Sequence, residues 1–145
     1  MKNNKINSAK KLILYVEDEE FQAKLFSRII RSEIGVYDYE IVIFNKGGDF
    51  INLLNLRNED YKIEDFGVIL LDMEMHDFSG FDMLKEAQAK FVETPIAILS
   101  AIEDESFKEG ALAFGAKDYF VKGKNLQELE RLRLFIVESM SLSDK

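Results

Sequence analysis

Four apolar runs in this chain end in side chains that can do chemistry. Lys11-Leu12-Ile13-Leu14-Tyr15-Val16 runs into Glu17 and Asp18, and Gly67-Val68-Ile69-Leu70-Leu71 runs into Asp72. Pro95-Ile96-Ala97-Ile98-Leu99 runs into Ser100, and Tyr119-Phe120-Val121 runs into Lys122. Placed along one edge, these ends gather three carboxylates, a hydroxyl and an ammonium. Three negative charges in one crevice repel and raise each other's pKa. A bound cation relieves the repulsion, and an all-oxygen set favours a hard ion, Mg²⁺ or alternatively Mn²⁺, over Zn²⁺. With the acids neutralised, Asp72 is a candidate nucleophile towards phosphorus. Lys122 is placed to pair with one phosphoryl oxygen and Ser100 to hydrogen-bond another. Such transfer depends mainly on positioning and charge stabilisation.

Each residue alone has an ordinary explanation. An Asp or Ser ending a strand is usually a turn or a cap, and a Lys there is usually solvated. The run Glu17-Asp18-Glu19-Glu20 is also what a helix N-terminus favours. The inference rests on four strand ends agreeing at once.

The elements that would position these ends follow from the pattern. The runs near 12–16, 39–44, 67–71, 95–99 and 118–121 are short and continuous, not alternating, which suggests strands buried on both faces. Helical spacing lies between and after them: Phe21, Leu25 and Ile29; Phe81, Leu84, Ala87 and Phe91; Phe107, Ala111 and Phe114; then Leu126, Leu129, Leu132, Ile136 and Met140. Gly47-Gly48 opens the second helical region, Gly80 begins the third and Gly115 ends the fourth. Asn125 with Glu128 resembles a capping box for the last helix. Asn58 to Lys62 reads as loop. Repeated strand–helix alternation implies an α/β domain with a parallel sheet and helices on both faces. Ligands of such sheets sit beyond the C-terminal strand ends, where the polar residues fall.

Composition sets outer bounds. A chain of 145 residues, 47% hydrophobic, suits one domain with a proper core, filled by 12 Phe and the aliphatics because Trp is absent. There is no Cys, so neither a disulfide nor a thiolate metal site is available. No stretch approaches the roughly 18 apolar residues that span a bilayer. A net charge of -8 argues against non-specific binding to nucleic acid, and no direct nucleic-acid binding is expected. Residues 1–10 read as a flexible leader, 11–140 as the domain and 141–145 as a tail.

Taken together, the blocks Val16-Glu17-Asp18, Leu71 to Gly80, Ile98-Leu99-Ser100-Ala101 and Gly115 to Lys122 resemble the receiver domain of two-component response regulators. The separations of 28 residues from Asp72 to Ser100 and 22 from Ser100 to Lys122 are similar to that family's. The resemblance implies a flavodoxin-like, doubly wound, five-stranded parallel sheet of order 2-1-3-4-5. It implies that Asp72 accepts a phosphoryl group from a histidine kinase or histidine phosphotransfer protein. Asp18 and Asp72 would then ligate Mg²⁺ with the backbone carbonyl of Glu74, and Glu17 would hold it through water. Ser100 and Lys122 would contact the phosphoryl group, and Tyr119 would report its presence by turning inward. The output surface would be helix 4, strand 5 and helix 5, a surface through which the family often forms homodimers. The protein would be cytoplasmic, bacterial, and no enzyme beyond its own Mg²⁺-dependent phosphorylation and dephosphorylation.

The chain departs from the pattern in places. His76 stands where the family usually has Pro, and a solvated loop side chain is the expectation for it. Gly123 replaces the Pro after the lysine, so the Lys122–Gly123 peptide is expected to be trans. Glu17 replaces the commoner Asp. The side chain of Glu74, at the site rim, is expected to tune the lifetime of the phosphoryl group. Extra length between Asp18 and Asp72 is assigned to loops near 34–38 and 58–65. Leu134, Phe135 and Val137 widen the apolar face of the last helix and suggest a partner surface. No second domain is expected after that helix, so the reading is a stand-alone receiver or one excised from a longer regulator. Two rivals remain: a pseudo-receiver acting only as an interaction module, and a phosphohydrolase of the haloacid dehalogenase type. The latter wants a second Asp where Glu74 stands.

Overall fold

All five continuous apolar runs form strands. The computed structural model of the chain describes residues 11–33 and 39–143. Its strands are β1 (Leu12–Val16), β2 (Ile41–Phe44), β3 (Phe66–Leu71), β4 (Ile96–Ser100) and β5 (Asp118–Val121). They pair in parallel in the order β2-β1-β3-β4-β5. This is the flavodoxin-like, doubly wound arrangement expected from the sequence. The expected 39–44 run is shorter by two residues, because β2 is an edge strand and its pairing with β1 begins at Ile41.

Alternate residues of each strand feed two cores, which explains why the runs are apolar throughout. Leu14, Val16, Ile69, Leu71 and Ile98 face one side, against α2 (Gly47–Leu54), α3 (Gly80–Ala89) and α4 (Glu105–Ala113). Ile13, Tyr15, Val68, Leu70 and Leu99 face the other, against α1 (Glu20–Arg28) and α5 (Leu126–Ser143). Between α3 and α4, the Phe81 ring packs on both Phe107 and Phe114 at 5.8 Å.

Two helical stripes need correction. In α1 the buried residues are Ala23 and Phe26, continued by Ile30 in a π-helical turn (Ile29–Glu33). Phe21 of the expected stripe is 69% exposed, since the helix presents the neighbouring face to the sheet. In α3, Leu84 and Ala87 are buried, but Phe91 lies beyond the helix end and is 88% exposed. Phe91 takes φ 57°, with the amide of Val92 bonded back to the Ala87 carbonyl at 3.1 Å. Leu56 ends α2 in the same way, at φ 61°. Glycine usually occupies such a left-handed position, and Gly115 does so after α4 at φ 103°.

The last helix runs to Ser143, three residues past the expected Met140. Its surplus apolar surface is smaller than the sequence suggests. Phe135 packs on Phe120 at 5.6 Å, Val137 is half-buried against the same core, and Leu134 remains 43% exposed. Asn125 caps the helix as expected, its side chain accepting from the Glu128 amide at 2.8 Å. The reciprocal half of the box is absent, because the Glu128 carboxylate accepts instead from the Val121 amide at 2.8 Å. In the 58–65 loop, Asn58 accepts from the amides of Asp60 and Tyr61 before a short 3₁₀ turn (Ile63–Asp65) leads into β3. The leader 1–10, the 34–38 loop and residues 144–145 lie outside the described residues.

Candidate phosphoryl-transfer site

The C-terminal ends of β1, β3, β4 and β5 converge as the parallel order requires. β1 and β3 are neighbours in the middle of the sheet, so Glu17 and Asp18 emerge beside Asp72. Carboxylate oxygens of Glu17, Asp18 and Asp72 lie within 4.8 Å of one another. Lys122, following β5, directs its ammonium into the same crevice. It forms an ion pair with Glu17 Oε1 and stands 3.8 Å from Asp72 Oδ2. Ser100, at the end of β4, is buried, and its hydroxyl accepts from the Ile102 amide at 3.2 Å. All five residues named from the strand ends therefore occupy the end of the sheet where the sequence put them.

Burial decides the electrostatics. Asp72 is 7% exposed. Burial pushes its carboxyl up to about 7; Lys122 opposes that rise and the charge on Glu17 adds to it. Desolvation, more than the mutual repulsion anticipated from the sequence, is the main cause. Glu17 is more deeply buried still. Its Oε1 takes Lys122 and the Tyr15 hydroxyl (3.2 Å), while Oε2 accepts from the Glu19 amide at 3.2 Å. The Tyr15 phenol, itself fully buried, is pushed far above its ordinary range by that burial and stays a donor.

The loop from Met73 to Ser79 is fastened at several points. The Asp77 carboxylate accepts from the amides of Gly47 (3.0 Å) and Gly48 (2.8 Å), tying the loop to the start of α2. A Cβ on Gly47 would stand 2.9 Å from the Phe78 Cβ, so only glycine allows that approach. Ser79 and Asp82 form a capping box on α3. The ring of His76 is exposed, as expected of a loop side chain, yet it is not merely solvated. Its Nδ1 lies 2.6 Å from Asp18 Oδ2, and its backbone amide donates to the same oxygen at 2.8 Å. Glu74 is exposed, with its amide 3.4 Å from Asp72 Oδ1.

Two further expectations have a structural outcome. All peptides among the described residues are trans, Lys122–Gly123 included. Gly123 sits at φ 70° with open space around it, so its glycine serves backbone conformation and not packing. Tyr119 is already turned inward, 2% exposed, with its hydroxyl donating to the Ile102 carbonyl at 2.7 Å. Sequence reasoning passed over Tyr15, Asp77 and Phe26, whose ring lies 5.6 Å under the Lys122 ammonium. A polar tip on an otherwise apolar strand was the available signal for Tyr15. Nothing local marks the other two.

The donor set fits a hard divalent cation: three carboxylates, two of them buried, with no sulfur. Comparison with known proteins agrees with this geometry. Residues 13–132 match the family model described as response regulator receiver domain. Over 117 residues the chain is 31% identical to the cell cycle response regulator CtrA of Brucella ovis, covering 81% of this chain and 46% of that protein. The chain thus spans about half the length of the curated relatives it matches. Among solved structures, it is similar to the phosphorylated cyanobacterial phytochrome response regulator RcpA (TM-score 0.71, 22% identity, 89% of this chain and 92% of that one). The Mn²⁺-bound form of response regulator Rcp1 is similar too (TM-score 0.69, 23% identity, 87% and 91%).

Proposed function

The chain belongs to the response regulator receiver domain family, and on that footing we propose that Asp72 is the phosphoacceptor of a two-component relay. One observation carries the reading: a buried strand-end carboxylate shares its crevice with two more acids and a lysine. An Asp72 oxygen attacks phosphorus as the bond to the donor's histidine nitrogen breaks, and the imidazole leaves with its electron pair. Lys122 pairs with a phosphoryl oxygen, and Ser100 donates its hydroxyl to another. Asp18, Asp72 and the Glu74 carbonyl would hold Mg²⁺ or Mn²⁺, with Glu17 reaching it through water. The ion supplies positive charge that offsets the acids and the incoming phosphoryl group.

The donor in this reading is a histidine kinase or histidine phosphotransfer protein. The domain is no enzyme beyond its own phosphorylation and dephosphorylation, and it works in a bacterial cytoplasm without binding nucleic acid directly. Output passes through α4, β5 and α5. Ser100 leads into α4 through Ile102, and Tyr119 on β5 holds the Ile102 carbonyl, so drawing Ser100 towards a phosphoryl group disturbs this surface. Leu112 on α4 and Leu134 on α5, 41% and 43% exposed, support a homodimer there.

Incubation with acetyl phosphate and Mg²⁺ tests the reading. A receiver gains one phosphoryl group per chain, which then decays slowly. Continuous turnover of the donor points to a hydrolase, and no incorporation points to an interaction module.

A further inference from the structure

Tyr15 is a buried polar group that the phosphoryl-transfer reading leaves without a role. It lies on β1, wholly buried among Ile13, Val68, Leu70 and Leu99. A phenylalanine would fill the same space and need no hydrogen-bond partner. The partner of the Tyr15 hydroxyl is Glu17, two residues on and therefore on the same face of the strand. The oxygen it donates to, Oε1, is also the one that Lys122 grips. Glu17 is 1% exposed, so bulk solvent does not reach it, and among the described residues Tyr15 is the side-chain donor that remains on Oε1 once Lys122 moves away.

We propose that Tyr15 is a positioning residue that allows Lys122 to leave Glu17 for the phosphoryl group on Asp72. The inference rests on the phosphoacceptor reading above. In the structure the Lys122 ammonium is paired with Glu17 and lies 3.8 Å from the nearest Asp72 oxygen. Serving a phosphoryl group draws it off one buried carboxylate towards another residue. A buried carboxylate stripped of its cation, with no other donor on that oxygen, is strongly disfavoured. Tyr15 supplies a donor that stays in place, because its ring is enclosed by the α1–α5 core. The hydroxyl thus stabilises the arrangement in which Lys122 has left Glu17, without touching the phosphoryl group.

Tyr15→Phe removes the hydroxyl and keeps the ring. With saturating Mg²⁺, beryllofluoride, a stand-in for the phosphoryl group, binds the variant about tenfold more weakly, because without the hydroxyl the Glu17 oxygen that Lys122 leaves has no side-chain donor left. Mg²⁺ alone binds no more weakly than to the unaltered protein, because Glu17 loses a donor and not its charge. Unchanged beryllofluoride affinity overturns the inference, and so does equal weakening of both ligands, which a packing fault would give. If the unaltered protein binds no beryllofluoride, the phosphoacceptor reading falls and this inference with it. Proton NMR of the unaltered protein gives a second check that needs no variant. The slowly exchanging Tyr15 hydroxyl signal persists when beryllofluoride saturates the site; its loss contradicts the proposal.

Discussion

At the scale of single residues, Asp72 couples protonation to folding and, in the proposed role, to chemistry. Burial holds its carboxyl up to about 7 in the folded, metal-free protein, with Glu17 adding and Lys122 subtracting, while the unfolded chain releases the proton near pH 4. The folded state therefore binds more protons than the unfolded state between those values, so stability falls as pH rises through that window. Asp72→Asn removes the fall: in EDTA the variant matches wild type near pH 4 and exceeds it at pH 8, by urea denaturation. Equal pH slopes contradict this. With the carboxylate as the proposed ligand and nucleophile, phosphorylation by acetyl phosphate at low Mg²⁺ is expected to rise with pH through about 7, and saturating Mg²⁺ to move the rise to lower pH. Glu74, exposed beside the site, gives another test. Glu74→Ala changes the decay of phosphorylated protein at least severalfold, and equal decay rates would remove Glu74 from the account. Asp18, Asp72, Ser100 and Lys122 were legible in the sequence because a parallel sheet fixes where its strand ends fall. Tyr15, Phe26 and the His76–Asp18 contact were not, because they depend on which face a side chain takes and how far a loop folds back.

At the scale of elements, continuous apolar runs identified the strands because each strand serves two cores, and glycines marked helix ends where backbone had to turn or approach. The α1 stripe was misread at Phe21: Leu25 and Ile29 pack partly buried against the same core as Phe26 and Ile30, whereas Phe21 falls outside the face that the sheet selects. On α5 the selection is measurable. Ile136 is fully buried and Leu134 is 43% exposed, so Ile136→Ala costs about 2–5 kcal/mol, whereas Leu134→Ala stays within about 0.5 kcal/mol. Comparable losses in denaturant melts would mean that the helix faces the sheet differently. Phe91 tests helix termination. Its left-handed backbone and 88% exposure lead to the expectation that Phe91→Gly raises stability by about 1 kcal/mol. A loss would show that the ring makes a stabilising contact.

At the scale of the whole molecule, the fold places the candidate site at one end of the sheet, and contacts run from it to one lateral surface. Ser100, Ile102 and Tyr119 form the connection, and Lys124 pairs with Glu103 across the same face at 2.7 Å. Addition of beryllofluoride and Mg²⁺ should raise the sedimentation coefficient through dimer formation, and charged substitutions at Leu112 and Leu134 should abolish the rise. An unchanged coefficient would count against dimerisation through this surface. The central claim, that this architecture serves phosphorylation of one aspartate, is tested most directly by locating the phosphoryl group. Protein treated with acetyl phosphate and Mg²⁺ is reduced with borohydride, which converts an aspartyl phosphate to homoserine, and the peptides are sequenced by mass spectrometry. The account predicts homoserine at position 72 and nowhere else, absent when Mg²⁺ is omitted. Conversion at another carboxylate, or none in protein shown to be folded and Mg²⁺-bound, would contradict it.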